Sequence, residues 1–314
     1  MRFVVFGAGA IGGLVGARLF QHGADVTLIA RGEHGRALAS GLVLEAPNET
    51  VTLPIPVALS AAGVNWTDDT VVLLAVKGQD TEGALAQLVT VADSETPIVC
   101  MQNGVENERR VLRRFPRTYA MCVMCPATHL RPGVIQAHSA PVSGLLDLGC
   151  YEAGVDDMAQ AIAGALDATT FQSVARPDIM RWKYRKLLMN LANAVEALTG
   201  PVGRSSSLAR EAQREGTAVL EAAGIAVATP EEDRARRADH LQMRTRHRAS
   251  GAADRAGRAW PAPRDRSRRN SSTGRSCCSA RSTACPRRST ACSSAWRCRL
   301  RRAAAHPVRG ASRS

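Results

Sequence analysis

Nowhere in the 314 residues is there an unbroken apolar run of the roughly 18 or more that a membrane-spanning helix needs. A transmembrane protein is therefore not expected. Residues 1–20 are apolar, but they lack a cleavage site and carry a glycine pattern instead, so they do not read as a signal peptide. Cysteine is sparse in residues 1–243, which hold only Cys100, Cys122, Cys125 and Cys150, too few for a secreted disulfide scaffold. Residues 244–314 lack lysine and glutamate altogether, and Leu300 and Val308 are their only aliphatic side chains beyond alanine. There, 19 arginines face two acids, Asp254 and Asp265, giving +17; the whole chain totals +13, which leaves −4 for residues 1–243. The basic character belongs entirely to the tail. The body is large enough to bury a sizeable core, and a soluble cytoplasmic protein is expected.

What the body does contain is a glycine fingerprint in the right surroundings. Arg2–Phe6 is a short apolar run that reads as a buried parallel strand. Gly7-Ala8-Gly9-Ala10-Ile11-Gly12 follows, then a helical pattern through Phe20, then a second strand over Asp25–Ala30. The spacing has a mechanical reason. Gly7 allows a tight turn, Gly9 lets a pyrophosphate approach the backbone, and Gly12 lets the helix pack closely on the strand. The helix N-terminus then offers amides to the phosphates. Dinucleotide binding through Gly7 to Gly12 is expected, although a glycine-rich turn that binds nothing would have the same six letters.

An NAD site commonly ends its second strand on Asp or Glu, which holds the ribose 2′-hydroxyl. Here the strand ends at Ala30-Arg31. A guanidinium suits a 2′-phosphate in charge and geometry, so Arg31 argues for NADP; a solvated loop arginine is the other reading. Gly41–Pro56 reads as a hairpin beside the main sheet. Thr70–Val76 and Thr96–Met101 read as buried strands ending at Lys77 and at Gln102-Asn103-Gly104. Ligands sit beyond the carboxyl ends of strands in doubly wound sheets, so Lys77 and Asn103 are candidates, or else ordinary turn residues. Val134–Leu148 reads as two short strands closing the first domain, and Asp157–Leu166 as a helix.

A second domain is expected near Pro177. A long helix runs from Asp178 to Gly200-Pro201, and another covers Leu208–Ala223. Lys186, Asn190 and Asn193 share a face at helical spacing, with Lys183 one turn earlier. An amine and two amides on one stripe could grip a carboxylate and a carbonyl, or could simply face solvent.

These segments together resemble the 2-dehydropantoate 2-reductase (ketopantoate reductase) family. The matches are Gly7–Gly12, Val26–Arg31, Ala75-Val76-Lys77, Gln102-Asn103-Gly104-Val105-Glu106, and Trp182 through Lys186-Leu187-Leu188-Met189-Asn190 to Leu198-Thr199. The resemblance implies an α/β fold, a Rossmann-type doubly wound sheet followed by a smaller all-α domain that is incomplete at the C-terminus. The division is 1–176 for the NADP-binding domain, 177–243 for the helical substrate domain and 244–314 for the tail. It implies that Lys77 and Asn103 line the nicotinamide and substrate cleft, that Lys186 is the general acid, and that Asn190 and Asn193 bind substrate. One departure stands out. The family spaces its second asparagine four residues after the first, and here that position is Ala194, with Asn193 as the nearest substitute.

The family also carries a glutamate-containing stretch followed by Asn-Gly-Glu-Ile near its end, and residues 244–314 have nothing like it. They have no hydrophobic periodicity. Their composition suits a disordered basic arm, but also the out-of-frame product of a GC-rich gene. Asp265 through Cys278 can be encoded so that the frame one base earlier reads Pro-Val-Glu-Ala-Glu-Phe-Leu-Asp-Gly-Glu-Ile-Val-Leu. A frameshift between about Met243 and Ser250 is the expectation.

Other signals are read as structural. Cys122-Val123-Met124-Cys125 lacks the two further ligands of a zinc site and the helix of a redox motif, so no metal site is expected. His129 and His138 flank a Pro-Gly turn and read as hydrogen-bonded structural residues. The tail could touch phosphates, but only Trp260 and Trp296 interleave its arginines and no nucleic-acid motif is present. The reading that results is an NADPH-dependent reductase of a small 2-oxo acid, most simply 2-dehydropantoate to pantoate, as a homodimer if the resemblance holds. The alternatives are a same-fold reductase of another 2-oxo acid and a catalytically impaired NADP-binding remnant.

Overall fold

A computed structural model describes residues 1–242, Asp239 excepted. The tail from 244 onward, with its cysteines and the region of the expected frameshift, lies outside the described residues. Elements follow one another as β1 (Arg2–Phe6), α1 (Ala10–Gln21), β2 (Asp25–Ile29), α2 (Gly32–Leu38), β3 (Leu42–Ala46), β4 (Glu49–Leu53), β5 (Val57–Ala58), β6 (Thr70–Leu74), α3 (Thr81–Leu88), β7 (Ile98–Cys100) and α4 (Asn107–Leu112). The chain continues through β8 (Thr118–Met124), β9 (Ala127–Arg131), β10 (Val134–Ala137), β11 (Gly144–Cys150), α5 (Asp157–Asp167), β12 (Phe171–Gln172), α6 (Ile179–Thr199), α7 (Ser207–Ala222) and α8 (Pro230–Arg237).

The main sheet has eight strands in the order β12-β11-β8-β7-β6-β1-β2-β5. All neighbours are parallel except β11 against β8. Side chains alternate across it. Phe3, Val5, Val71 and Leu73 face α1 and α5, while Val4, Phe6, Val72 and Leu74 face α3 and α4. Burial on both faces is why these strands read as continuous apolar runs rather than alternating ones. This is the doubly wound Rossmann-type architecture, and a helical segment follows it.

The hairpin of β3 and β4 forms as expected, but it belongs to a second, four-stranded sheet, β4-β3-β10-β9. That sheet packs Leu42, Leu44 and Ile135 onto the α1 side of the core. Val134–Leu148 holds two strands, as the sequence reading expected, and they lie in different sheets: β10 joins the second, whereas β11 pairs with β8 in the first. Strand signals mark that a strand exists, not which partner it will take.

Helix α6 begins after Asp178 and stops at Gly200, whose φ of 81° no other residue adopts cheaply. Its first turns lie on the main sheet, where Ile179 and Trp182 pack against Ala120, Cys122, Met124 and Leu145. Arg181 pairs with Asp178 at 2.7 Å and with Glu232 of α8 at 3.0 Å. Arg236 of α8 reaches the buried Asp147 carboxylate at 2.6 Å. The packing of Ile179 and Trp182 and the Arg181–Glu232 pair hold α6, and hence Lys186, against the sheet and α8.

Candidate active site

Two glycines of the turn between β1 and α1 leave no room for a side chain. Gly7 has φ 104°, and a Cβ there would stand 2.8 Å from the Val76 backbone nitrogen. A Cβ on Gly12 would stand 2.3 Å from the Gly7 carbonyl oxygen, so α1 rests directly on the loop. Gly9 differs: a Cβ would meet nothing within 4 Å, so the backbone lies open to a ligand. Gly9 also caps α1 without any side chain accepting from its first turn. The amides of Ala10 and Ile11, which open the helix, are left for an anion. This cradle fits the pyrophosphate of a dinucleotide. Because backbone rather than a flexible side chain blocks the space, Gly12→Ala is expected to cost about 1–3 kcal/mol. The measurable outcome is a dissociation constant for a dinucleotide raised at least about tenfold, read by the quenching of intrinsic fluorescence.

Beside the loop lies a cavity of about 680 Å³, lined by Gly7, Ala8, Gly9, Arg31, His34, Lys77 and Asp80 among others. Arg31 precedes α2 and is largely exposed; its guanidinium donates to the Asp80 carboxylate at 2.8 Å across the cavity rim. His34 is held from both sides. Its Nδ1 accepts from the Gly133 amide at 3.0 Å, so Nε2 carries the proton and donates to the Ala8 carbonyl at 2.7 Å. The His129 ring lies against it, tilted by 45° with the centroids 3.9 Å apart, and burial, then the neighbouring His34, lowers the His129 pKa. His129 Nε2 has no hydrogen-bond partner, unlike His138, which meets the Thr128 hydroxyl at 3.0 Å.

Lys186 is half-buried on α6. Burial holds its amine below the usual lysine range, against the opposing pull of Cys122 and the Asp233 carboxylate; Arg237 and Arg204 push in the same direction as burial. Asn190 lies one turn on. Asn193 is exposed, its amide stands 3.5 Å from the Asn190 carbonyl, and its own carbonyl accepts from Arg204 at 2.7 Å. Cys122 and Cys125 lie near Lys186, and burial pushes their thiols up to about 11 and about 12. Both are protonated at neutral pH, which removes them as nucleophiles.

The structure thus gathers Gly7, Ala8, Gly9, Arg31 and Lys77 on one cavity wall, with Gly12 packed beneath it. Asn103 is exposed on the turn after β7 and does not line that cavity; nor do Lys186, Asn190 and Asn193. The link between the two groups is Lys183, whose ammonium donates to the Gln102 carbonyl at 3.0 Å and pairs with Glu108. Sequence reasoning missed Glu108, His34, Asp80 and Arg204. Their partners lie far away in the chain, and no local spacing announces them.

Comparisons with known proteins agree with this geometry. A family model described as ketopantoate reductase PanE/ApbA matches residues 3–153. The 2-dehydropantoate 2-reductase of Mesorhizobium japonicum is 31% identical over 70% of this chain and 72% of its own length. That of Pyrococcus horikoshii is 28% identical over 61% of this chain, and the match spans 62% of that relative's length. Among solved structures, the PanE/ApbA family ketopantoate reductase of Ralstonia eutropha JMP134 superposes with a TM-score of 0.64 at 24% identity, over 78% of this chain and 83% of that one. A D-mandelate dehydrogenase with NADH and anilino(oxo)acetate gives a TM-score of 0.65 at 22% identity, over 74% and 80%. With a glycine cradle, a lysine on the helix that follows the sheet, and a relative this similar over most of its length, the chain belongs to the ketopantoate reductase family of oxidoreductases.

Proposed function

We propose that this protein reduces a small 2-oxo acid with NADPH, converting 2-dehydropantoate to pantoate for pantothenate biosynthesis, as a cytoplasmic homodimer. Residues 1–176 would hold the dinucleotide and 177–243 the substrate. Among the described residues no helix is long and apolar enough to cross a membrane. The observation that carries the reading is Lys186, an amine held below its ordinary pKa by burial, with Asn190 one turn away on the same helix.

When bound, the nicotinamide cofactor supplies a hydride. The chain's residues do the rest. The Lys186 ammonium stabilises the negative charge that develops on the substrate's carbonyl oxygen and gives its proton to that oxygen. Its lowered pKa makes it a better acid than an exposed lysine. The amides of Asn190 and Asn193, with Asn103 from the turn after β7, hold the substrate's oxygens. Gly7 to Gly12 carry the pyrophosphate, and Lys77 stands at the end of β6 on the cavity wall.

Arg31 supports NADPH over NADH. Its guanidinium stands at the cavity rim, where opening the Asp80 pair would free it for a 2′-phosphate. Removing a charge-assisted partner costs about 1.5–3 kcal/mol, so Arg31→Ala is expected to raise the NADPH dissociation constant roughly 10- to 100-fold. The NADH constant should stay within a factor of about three. Equal losses for both cofactors would remove Arg31 from the 2′-phosphate site.

The substrate is tested by steady-state reduction of 2-dehydropantoate beside a panel of other 2-oxo acids. The shared fold with a D-mandelate dehydrogenase favours a second reading, reduction of a different 2-oxo acid, and a higher kcat/KM for an aryl 2-oxo acid would establish it. The composition of residues 244–314 supports a frameshift between about Met243 and Ser250. The chain as written would then bind NADPH and turn over poorly.

A further inference from the structure

Lys183 and Lys186 are one turn apart on α6, yet their surroundings differ completely. Lys183 is 3% exposed and its partner Glu108 is 0% exposed. A charge pair this deep is expensive, because both ions lose their water, and apolar replacements of similar size are often as stable or more so. Stability alone is therefore a weak reason for the pair. Its other contact is more informative. The Lys183 ammonium also donates to the backbone carbonyl of Gln102, the residue just before Asn103, at 3.0 Å.

Gln102 carries the connection onward. Its side-chain amide donates to the Val76 carbonyl at 2.8 Å and to the Thr81 hydroxyl at 2.8 Å. Thr81 in turn donates to the Asn107 side chain at 3.0 Å, beside Glu108 at the start of α4. Val76 and Lys77 line the cavity. One buried polar network thus joins α6 to the ends of β6 and β7. Two of its acceptors, Gln102 Oε1 and Glu108 Oε2, have no protein partner, so the network is not arranged for maximal hydrogen bonding. It is arranged around fixed positions of three backbone segments.

We propose that Lys183 is a positioning residue. Through Glu108 and Gln102 it sets the Val76-Lys77 wall and the Asn103 turn at a fixed distance from α6, and so from Lys186. This rests on the reductase reading of Lys186 and Asn103. In that reading the network governs the nicotinamide end of the site, while the Gly7–Gly12 turn, which touches Val76, keeps its own backbone hydrogen bonds to the Ile29 carbonyl.

Binding tests this without turnover, on the full chain. The probes are NADPH and 2′-phospho-ADP-ribose, which lacks the nicotinamide. The variants are K183R and the charge-free double variant K183M/E108M, which leaves no unpaired buried ion. The double variant is expected to bind 2′-phospho-ADP-ribose within about threefold of the wild type, showing an intact fold, while its NADPH dissociation constant rises at least about tenfold. K183R, which keeps donors for both the carboxylate and the carbonyl, is expected to restore NADPH binding to within about threefold. If both ligands bind the double variant as they bind the wild type, Lys183 positions nothing and the proposal fails. Equal weakening of both also overturns it, because the pair would then serve the fold at large. A wild-type chain that binds neither ligand sinks the reductase reading itself, and this proposal with it.

Discussion

Lys186→Met is expected to lower kcat for 2-oxo acid reduction by at least about 10²-fold, the scale on which positioned acid–base groups act, while NADPH binding is retained. Methionine keeps the length and apolar stem of lysine and removes only the ammonium, so α6 should stay in place. The barrier rises because charge then develops on the carbonyl oxygen with no cation facing it and no proton at hand. The pH profile gives the same group a second signature. The competent form is the protonated amine, so the rate falls as pH rises through the Lys186 pKa. Burial lowers that pKa below its ordinary 10.5, and the alkaline limb is expected below the range of an exposed lysine. In Lys186→Met the residual rate should have no such limb. A variant that keeps wild-type kcat, or a residual rate with the same limb, would assign the proton to another group.

That Lys186 could be singled out from sequence, while Lys183 could not, shows what local spacing carries and what it omits. Helical periodicity places Lys183, Lys186, Asn190 and Asn193 near one stripe. It cannot say that Lys183 meets a carboxylate 75 residues away in the chain while Lys186 is surrounded by Cys122, Asp233, Arg237 and Arg204. Burial of a cation is decided by that distant partner. Arg31 is a similar case: its place after β2 follows from the strand–turn–helix–strand pattern, but its pairing with Asp80 depends on a contact 49 residues away.

Strands divide the same way. β1, β2, β6 and β7 announce themselves as short apolar runs ending in Gly7, Arg31, Lys77 and the Gln102-Asn103-Gly104 turn. β8 is just as apolar and entirely buried over Thr118–Met124, yet its Cys122, with Cys125 just beyond its end, reads as C-x-x-C chemistry and hides its place within the sheet. The second sheet needs Val134 beside Val43 in a parallel register. Alternation fixes which face of a strand is inward but leaves the partner free, so the β3–β4 hairpin was legible and its extension by β10 and β9 was not. The helix limits were legible for a local reason. Asp178 precedes α6, Gly200 and Pro201 end it, and Ser206 accepts from the Ala209 amide to start α7.

The largest effect is expected from restoring the reading frame. A gene corrected by one base between the codons of about Met243 and Ser250 should yield a protein with kcat/KM for 2-dehydropantoate at least about 10²-fold above that of the chain as written. Two observations point there. The described helices leave Leu198 87%, Val202 85% and Leu208 60% exposed, large apolar side chains that a further packed element would cover. In the written frame, residues 244–314 offer only Leu300 and Val308 as aliphatic side chains beyond alanine. The alternative frame of residues 265–278 offers Phe-Leu and Ile-Val-Leu within a dozen positions, and with them three glutamates. Full burial of a leucine or valine contributes about 1.5–3 kcal/mol, so covering even part of this surface should raise the melting temperature by several degrees or about 2–4 °C for each kcal/mol. Carboxylates of the restored segment would add an acceptor for the substrate's hydroxyl to the Asp233 carboxylate already near Lys186. The first measurement is to resequence the codons for Arg236 to Ser276 and to purify both proteins with verified masses. If the written chain turns over as fast and melts as high as the corrected one, the tail is native and the substrate's hydroxyl must be held by residues already within 1–242.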